Sequence, residues 1–435
     1  MRDVLINNFL RISKIPRMSG NEKQISDFFV EVAKNNNLEY YQDDNNNLLI
    51  KKKGNIVGDT IGFQAHLDMV CVKTNDSNHD FNIEGIDVII NDDEVTAKDT
   101  SLGADQGVGL AIMLALIEDK TLPHPDLEFL FTVEEETTFK GVLNFPYERV
   151  SCKQLINLDY VRDDAVVTGS ASDLANEYVF KSNLVSNDLP SYKICFSGFP
   201  GGNSGENINE SANNAITTMI NLLKDKDIYI KSINGGFFEN DVATDCEIIL
   251  NTNLDINSIF NGSPAKIECI DNKYSFSKED TIRIISEILS LKSGFLSDTA
   301  SANLGTIETI DNEIRIKYLI RSINQDEIEK LSDETKKLNY NFEVIRRYTE
   351  DAWKLNSNSK ILQKYRNAYF NLYNTYPEES IALGGLECGY ISNKIGLDVI
   401  SIGATMNNFH SVDEITYISS WIKIYNIIIN LLKSF

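Results

Sequence analysis

Two of the four histidines in this chain, His66 and His410, sit just past apolar, strand-like runs. Three more such runs or loops end at Asp105, Glu135–Glu136 and Asp159. Carboxylates and imidazoles delivered to one edge of one sheet would make a cage for two divalent metal ions. The charges close as well. Two divalent cations bring four positive charges against three carboxylates (Asp105, Glu136 and Asp159), and a hydroxide, accessible near neutral pH beside such ions, takes up the remainder. Oxygen and imidazole donors suit zinc, with manganese and cobalt as alternatives.

Each segment taken singly has an ordinary reading beside the chemical one. In GFQAHLDMV, His66 and Asp68 stand two apart, and a nearby carboxylate can accept the second ring N–H and fix the imidazole for metal binding. In SLGADQGVG, Asp105 lies at the mouth of a helix, the place of a plain N-cap or of a carboxylate bridging two cations. FTVEEETTFKG carries three consecutive acids, whose mutual repulsion requires either a solvated turn or a metal site. In the second case Glu136 is a ligand, Glu135 faces a water as general base, and Glu134 points outward. Asp159 (in NLD) and His410 (in NNFHSVDE) each follow an apolar strand, where a single such residue is usually structural. It is their joint occurrence at strand ends that points to a metal centre.

The elements that must position these residues follow from hydrophobic periodicity. Helical spacing predicts helices over 4–13 and 22–35, the second opened by a Ser19/Glu22 capping box. Strands are expected at 47–52, 60–65, 87–90, 94–97, 126–133 and 153–159, with a glycine turn opening into a helix over 105–119. Strands alternating with helices indicate an α/β sheet, whose sites form beyond the carboxyl ends of its strands. After residue 170 the texture changes to alternating strands (YKICFSGF, CEIILNTNL, NEIRIKYLIRS, FEVIRRY) with two helices over 211–225 and 278–291. Beyond Trp353 the first pattern returns, with a helix over 358–374, a strand over 398–404 and a terminal helix over 413–433. The expected architecture is α/β: a mixed sheet flanked by helices, with an inserted α+β domain. Its parts are 1–169 and 350–435 for the catalytic domain and 170–349 for the insertion.

The 435 residues exceed one ordinary core, which also argues for two domains. Forty-one basic against 64 acidic residues leave a net charge of −23. Such a surface repels nucleic acid and anionic membrane, so neither is an expected partner. Six scattered cysteines form no CxxC pair, which argues against a zinc ribbon and a disulfide framework and suggests a reducing compartment; Cys71 and Cys388, near the candidate segments, are expected to be buried structural thiols. The N-terminal segment lacks a signal-peptide pattern and no apolar run reaches the ~18 residues that span a bilayer, so the expected location is cytoplasmic.

SKIPRMSGNE, FQAHLDMV, SLGADQGVG, TVEEE, LINLD, GGLECG and FHSVDE, in this order from residue 12 to 414, resemble the signature segments of the aminoacyl-histidine (Xaa-His) dipeptidases. These belong to the dizinc exopeptidase superfamily of carnosinases and aminoacylases. The resemblance implies a zinc-exopeptidase catalytic domain with an inserted lid, in chains that are usually dimeric or pseudo-dimeric, with a homodimer through the lid domain as the expected partner. It implies His66, Asp105 and Asp159 on one metal ion and Asp105, Glu136 and His410 on the other, with Asp68 orienting His66 and Glu135 as base and proton shuttle. In the lid, Arg321 and Asn303 stand where the family pattern has substrate-facing residues. The family's GGHSG appears as Gly201-Gly202-Asn203-Ser204-Gly205, so Asn203 replaces a histidine that helps hold the oxyanion. An asparagine still donates a hydrogen bond but contributes no positive charge. Further departures are Asn207, Ala212 and Leu383.

The function implied is metal-dependent hydrolysis of an amide bond in a small peptide, by a cytosolic Xaa-His dipeptidase. The same centre would serve an N-acyl-amino-acid deacylase or a tripeptidase. A catalytically silent metal-binding protein is the reading from another class, against which the retained Glu135 argues, since a scaffold needs no base.

Overall fold

The computed structural model describes residues 1–74, 76–202, 204, 214–338, 341–350, 352–355 and 357–434. Two compact units divide the chain: Met1–Ser170 with Trp353–Ala382 and Leu386–Phe435, and Ala171–Ala352 with Leu383–Gly385.

The first unit is built on a mixed sheet. Its strands run, in spatial order, Glu39–Gln42, Leu48–Lys52, Leu127–Thr132, Ile61–His66, Gln154–Asn157, Asp398–Ser401, Ala165–Ser170 and Trp353–Lys354. Glu378–Ala382 pairs alongside Ala165–Ser170. The four strands from Leu127–Thr132 to Asp398–Ser401 are mutually parallel, in a register that sets His66 beside Thr132 and Ser401 beside Asn157. Every residue of Ile61–His66, Leu127–Thr132 and Gln154–Asn157 is buried, as parallel strands covered on both faces require. Their carboxyl ends therefore share one edge. Asp398–Ser401 joins this sheet from the far end of the sequence, so the outer segments fold together as expected.

The helix Ala104–Glu118 is apolar on all sides because it is enclosed, packing against Arg2–Ser13, the Ile61–His66 strand and the terminal helix Ile418–Leu432. Phe9 lies at the centre of this packing, fully buried with its ring centroid 4.9 Å from that of Trp421. Phe9→Ala is expected to cost about 3–5 kcal/mol, read as a lower urea midpoint for the unfolding of this unit. An unchanged midpoint would contradict the packing described.

A second, four-stranded sheet orders Met406–Asn407, Ile415–Tyr417, Glu94–Ala97 and Val88–Asn91. It suspends the loop 408–414 between two of its strands. Here the structure corrects the sequence reading. The terminal helix begins at Ile418, not 413, because Thr416 pairs with Val95 in this sheet. The capping box is also absent. Helix Lys23–Asn35 has no side-chain cap; Ser19 Oγ donates instead to Asp68 and Glu22 accepts from the backbone of Gly20 and Glu134.

The second unit is an antiparallel sheet ordered Lys266–Ile270, Ser191–Phe196, Cys246–Asn251, Tyr229–Gly235, Ala300–Ile310, Glu313–Ser322, Ser172–Lys181 and Glu343–Glu350. The helices Ala215–Leu223 and Lys278–Ser290 bury their apolar faces in its core. Gln325–Leu338 is a further helix that periodicity did not single out, since only a thin stripe (Ile328, Leu331) marks an otherwise charged segment. The architecture is α+β.

Candidate metal centre

Three strand ends on one sheet edge, the turn before the long helix and the loop 408–414 bring the candidate ligands of the first unit together. His66 closes its strand, and Leu67 N–H donates to Thr132 O at 2.8 Å, holding the chain against the neighbouring strand end. Beyond Thr132 the chain turns through Glu134, whose φ of 52° is left-handed, and places Glu135 and Glu136 next to His66 and His410. Asp159 follows its strand by two residues, its N–H donating to Asn157 Oδ1 at 3.1 Å. The turn before the long helix passes through Gly103 at φ 68°, where a Cβ would lie 2.6 Å from the Arg17 guanidinium and 2.7 Å from Met69 Sδ. Asp105 is not that helix's N-cap: Gly103 takes the position and Asp105 turns its carboxylate toward the histidines.

The two oxygens of Asp105 face different imidazoles. Oδ1 lies 3.3 Å from His66 Nε2 and Oδ2 lies 3.3 Å from His410 Nε2. Asp159 Oδ1 is 3.5 Å from His66 Nε2, and Glu136 Oε1 is 3.2 Å from His410 Nε2. Charge-assisted hydrogen bonds run about 2.7–2.9 Å, so these separations are long for direct pairing. They match the ~3.3 Å edge of a tetrahedron whose corners stand about 2.0–2.1 Å from a central zinc ion. Glu136 Oε1 is moreover buried with no well-aligned hydrogen bond. Ligand atoms of His66, Asp105 and Glu136 fall within 4.8 Å of one another. The donor set fits two divalent cations sharing Asp105.

Electrostatics point the same way. Burial opposes charge on His66 and His410, yet the carboxylates around them hold both imidazoles well above their usual range. The two rings in turn hold Asp105 far below the usual carboxylate range against the cost of its burial. Burial pushes Asp159 up to about 6, and burial with neighbouring carboxylates lifts Glu135 well above its usual range. A field that negative favours any cation placed there.

Asp68 is completely buried beneath this cluster. Its oxygens accept from the N–H groups of Glu135 and Glu136, each at 3.1 Å, and from Ser19 Oγ at 2.7 Å, and Oδ1 stands 3.3 Å from His66 Nδ1. Glu135 Oε2 lies 3.9 Å from His66 Nε2. Glu134 turns away to pair with Lys140 at 3.0 Å.

Sequence reasoning missed several supporting residues. The Gln106 amide donates to Asp159. Gln64, two before His66, donates to Glu387 Oε2 at 2.5 Å and accepts from Asn157 at 2.6 Å, and Thr132 donates to Glu387 at 2.8 Å. Glu387 belongs to the GGLECG segment, the one signal that could have found it. Burial pushes its carboxyl up to about 8. An acid whose folded pKa exceeds its unfolded one stabilises the fold below the unfolded value and loses that contribution as pH rises through the folded value. The metal-free chain is therefore expected to lose a few kcal/mol, roughly, between pH 5 and 9. Glu387→Gln is expected to flatten that fall. Urea midpoints across this range check it, and an equally steep fall in the variant would refute it.

The lid candidates lie in the second unit. Arg321 is buried, its Nε 3.0 Å from Asp173 Oδ1 and its Nη1 2.9 Å from Ser204 Oγ. Asn303 donates to the carbonyls of Glu239 and Asp241 at 3.0 and 2.7 Å, leaving its buried Oδ1 without a partner. Asn203, Asn207 and Ala212 lie outside the described residues, and Leu383 is partly buried. Asp173→Ala would strand the Arg321 guanidinium and is expected to cost about 3–5 kcal/mol. A thermal-unfolding scan that showed no loss would mean this ion pair does not hold the sheet.

The model of Peptidase family M20/M25/M40 matches residues 62–434. The chain belongs to this family. It is a metallopeptidase, and the centre described above is where its residues suit metal-dependent hydrolysis. The M20 chain is 27% identical over 469 residues to the cytosol non-specific dipeptidase of Escherichia coli K12, covering 98% of this chain and 96% of that protein. Its fold is similar to the crystal structure of aminoacylhistidine dipeptidase from Vibrio alginolyticus, with a TM-score of 0.70 at 23% identity over 99% of this chain and 96% of the other. A tripeptidase from Staphylococcus aureus gives a TM-score of 0.67 at 17% identity, covering 100% and 98%. Among the described residues, no helix of this M20 chain is long and apolar enough to cross a membrane.

Proposed function

We propose that this M20 peptidase is a cytosolic dipeptidase that holds two divalent cations, zinc with manganese or cobalt as alternatives. His66, Asp105 and Asp159 hold one ion, and Asp105, Glu136 and His410 the other. The observation that carries the reading is the division of Asp105, one oxygen 3.3 Å from each imidazole. When bound, the ions polarise the scissile carbonyl and lower the pKa of water.

The chain's own residues supply the rest. Asp68 fixes the ring of His66 and, through two backbone N–H groups, the turn that carries Glu135 and Glu136. Glu135 Oε2 takes a proton from the attacking water and returns it to the leaving amine. The burial that lifts its carboxyl suits both halves of that shuttle. The second unit is the lid, with Arg321, Asn303 and Asn203 as candidate contacts to the substrate; it also serves as the homodimer surface. With asparagine at 203, the oxyanion meets a neutral donor.

The dipeptidase assignment draws on the names of the Escherichia coli and Vibrio relatives. A panel of Xaa-His and other dipeptides, tripeptides and N-acyl amino acids, with zinc or manganese added, tests it. Dipeptide cleavage is the expected result. Release of acyl groups or tripeptide ends without dipeptide cleavage would overturn it.

A further inference from the structure

The proposed ligand set does not explain how Asp105 is held midway between two histidines that are 344 positions apart in the chain, His66 and His410. Two buried charged residues outside that set grip the turn. Glu414 is 2% exposed, and its Oε2 accepts from the N–H groups of Leu102 and Gly103 at 2.8 and 2.9 Å. Its Oε1 accepts from Ala104 at 2.8 Å and from Asp105 itself at 3.4 Å. Successive N–H groups converging on one carboxylate form an anion-holding nest. Arg17, 3% exposed, donates to the carbonyls of Gly103, Leu67 and Asp68.

Each of these bonds ties segments remote in sequence. Glu414 lies four residues after His410, so its carboxylate couples the His410 loop to the Asp105 turn. Arg17 couples the same turn to the two residues that follow His66. Among the described residues neither side chain forms a salt bridge within 4.0 Å, and the hydrogen bonds of both go to backbone groups of the ligand loops. A buried charge satisfied only by backbone is costly to replace and fixes geometry where a flexible side-chain pair would not. The left-handed Gly103 leaves room for the guanidinium, since a Cβ there would collide with it.

Resting on the metal reading above, we infer that Glu414 and Arg17 are positioning residues: together they set the place of Asp105 between His66 and His410, and hence the ability of the centre to hold its second ion. Glu414→Gln keeps the shape but turns an amide N–H toward backbone N–H groups. The turn must then give way.

The test is equilibrium dialysis of the full chain against cobalt(II), with the visible absorption spectrum of the bound ion recorded alongside. Wild type is expected to take up two cobalt ions per chain, and this arm alone reports on the metal reading. Glu414→Gln is expected to bind the weaker ion 10–100-fold less tightly, as when a group supporting a metal ligand is removed. Its cobalt spectrum is expected to change, and its kcat to fall at nearly unchanged KM. Glu414→Asp, which keeps the charge on a shorter arm, is expected to fall between the two and covers the case in which the glutamine variant does not fold. Ile424→Val, in the core of the terminal helix, controls for destabilisation and is expected to keep both ions. Wild-type affinity and spectrum in either Glu414 variant would overturn the inference while leaving the metal reading intact. A wild type that binds no cobalt would end both.

Discussion

Glu135→Gln is expected to lower kcat on dipeptides by on the order of 10²–10⁴-fold, with metal content unchanged. The glutamine occupies the same space and keeps the backbone N–H that Asp68 holds, so the turn carrying Glu136 should not move. What is lost is a proton acceptor that the proposed ligand set leaves free on the Nε2 side of His66, 3.9 Å from that atom. The buried carboxyl is held well above its usual range, which matches a group that must both take and release a proton near neutral pH. Steady-state kinetics on purified, metal-loaded protein measure the effect. Activity within a few-fold of wild type would remove Glu135 from the mechanism and return the silent metal-binding reading to contention.

The second large effect concerns stability. Ions that bind the folded state alone stabilise it by about 4 kcal/mol at a free concentration of a thousand times Kd. For a unit of this size each kcal/mol moves Tm by about 2–4 °C, so stripping the metals is expected to lower the Tm of the first unit by roughly 8–16 °C. The direction follows from the cluster itself, where Asp105, Glu136 and Asp159 crowd two imidazoles. Asp105→Asn is expected to abolish most of the shift, because both proposed ion sites draw on that one side chain. Differential scanning calorimetry with and without zinc checks this. Equal Tm values in wild type would contradict a metal centre of this kind.

Much of the site was legible in the sequence because its residues obey a local rule. Strand-like runs alternating with helices indicate an α/β sheet, and chemistry at such a sheet collects at the carboxyl ends of its strands. His66 and Asp159 could therefore be assigned to one edge before any contact was known. The rule fails where a residue acts at long range. Ser19 and Glu22 have the spacing of a capping box, yet Asp68 and the Glu134 N–H compete for them and win. Arg17 and Glu414 look like routine surface charges in an acidic chain, and only tertiary structure shows both buried against backbone.

The same distinction holds for the fold. The start of the terminal helix was misread because Ile415–Tyr417 continues its apolar pattern while pairing as a strand. Gln325–Leu338 escaped notice because a charged helix with a narrow apolar stripe is hard to tell from a polar loop. In both cases the deciding partner is distant in sequence: Val95 for the strand, and the apolar core of the second unit for the helix.

The most direct test is a crystal structure of the zinc-loaded protein with anomalous data at the zinc edge. Two peaks are expected, one between His66 and Asp159 and one between His410 and Glu136, with Asp105 reaching both. A single peak away from Asp105, or none at all at saturating zinc, would contradict the account.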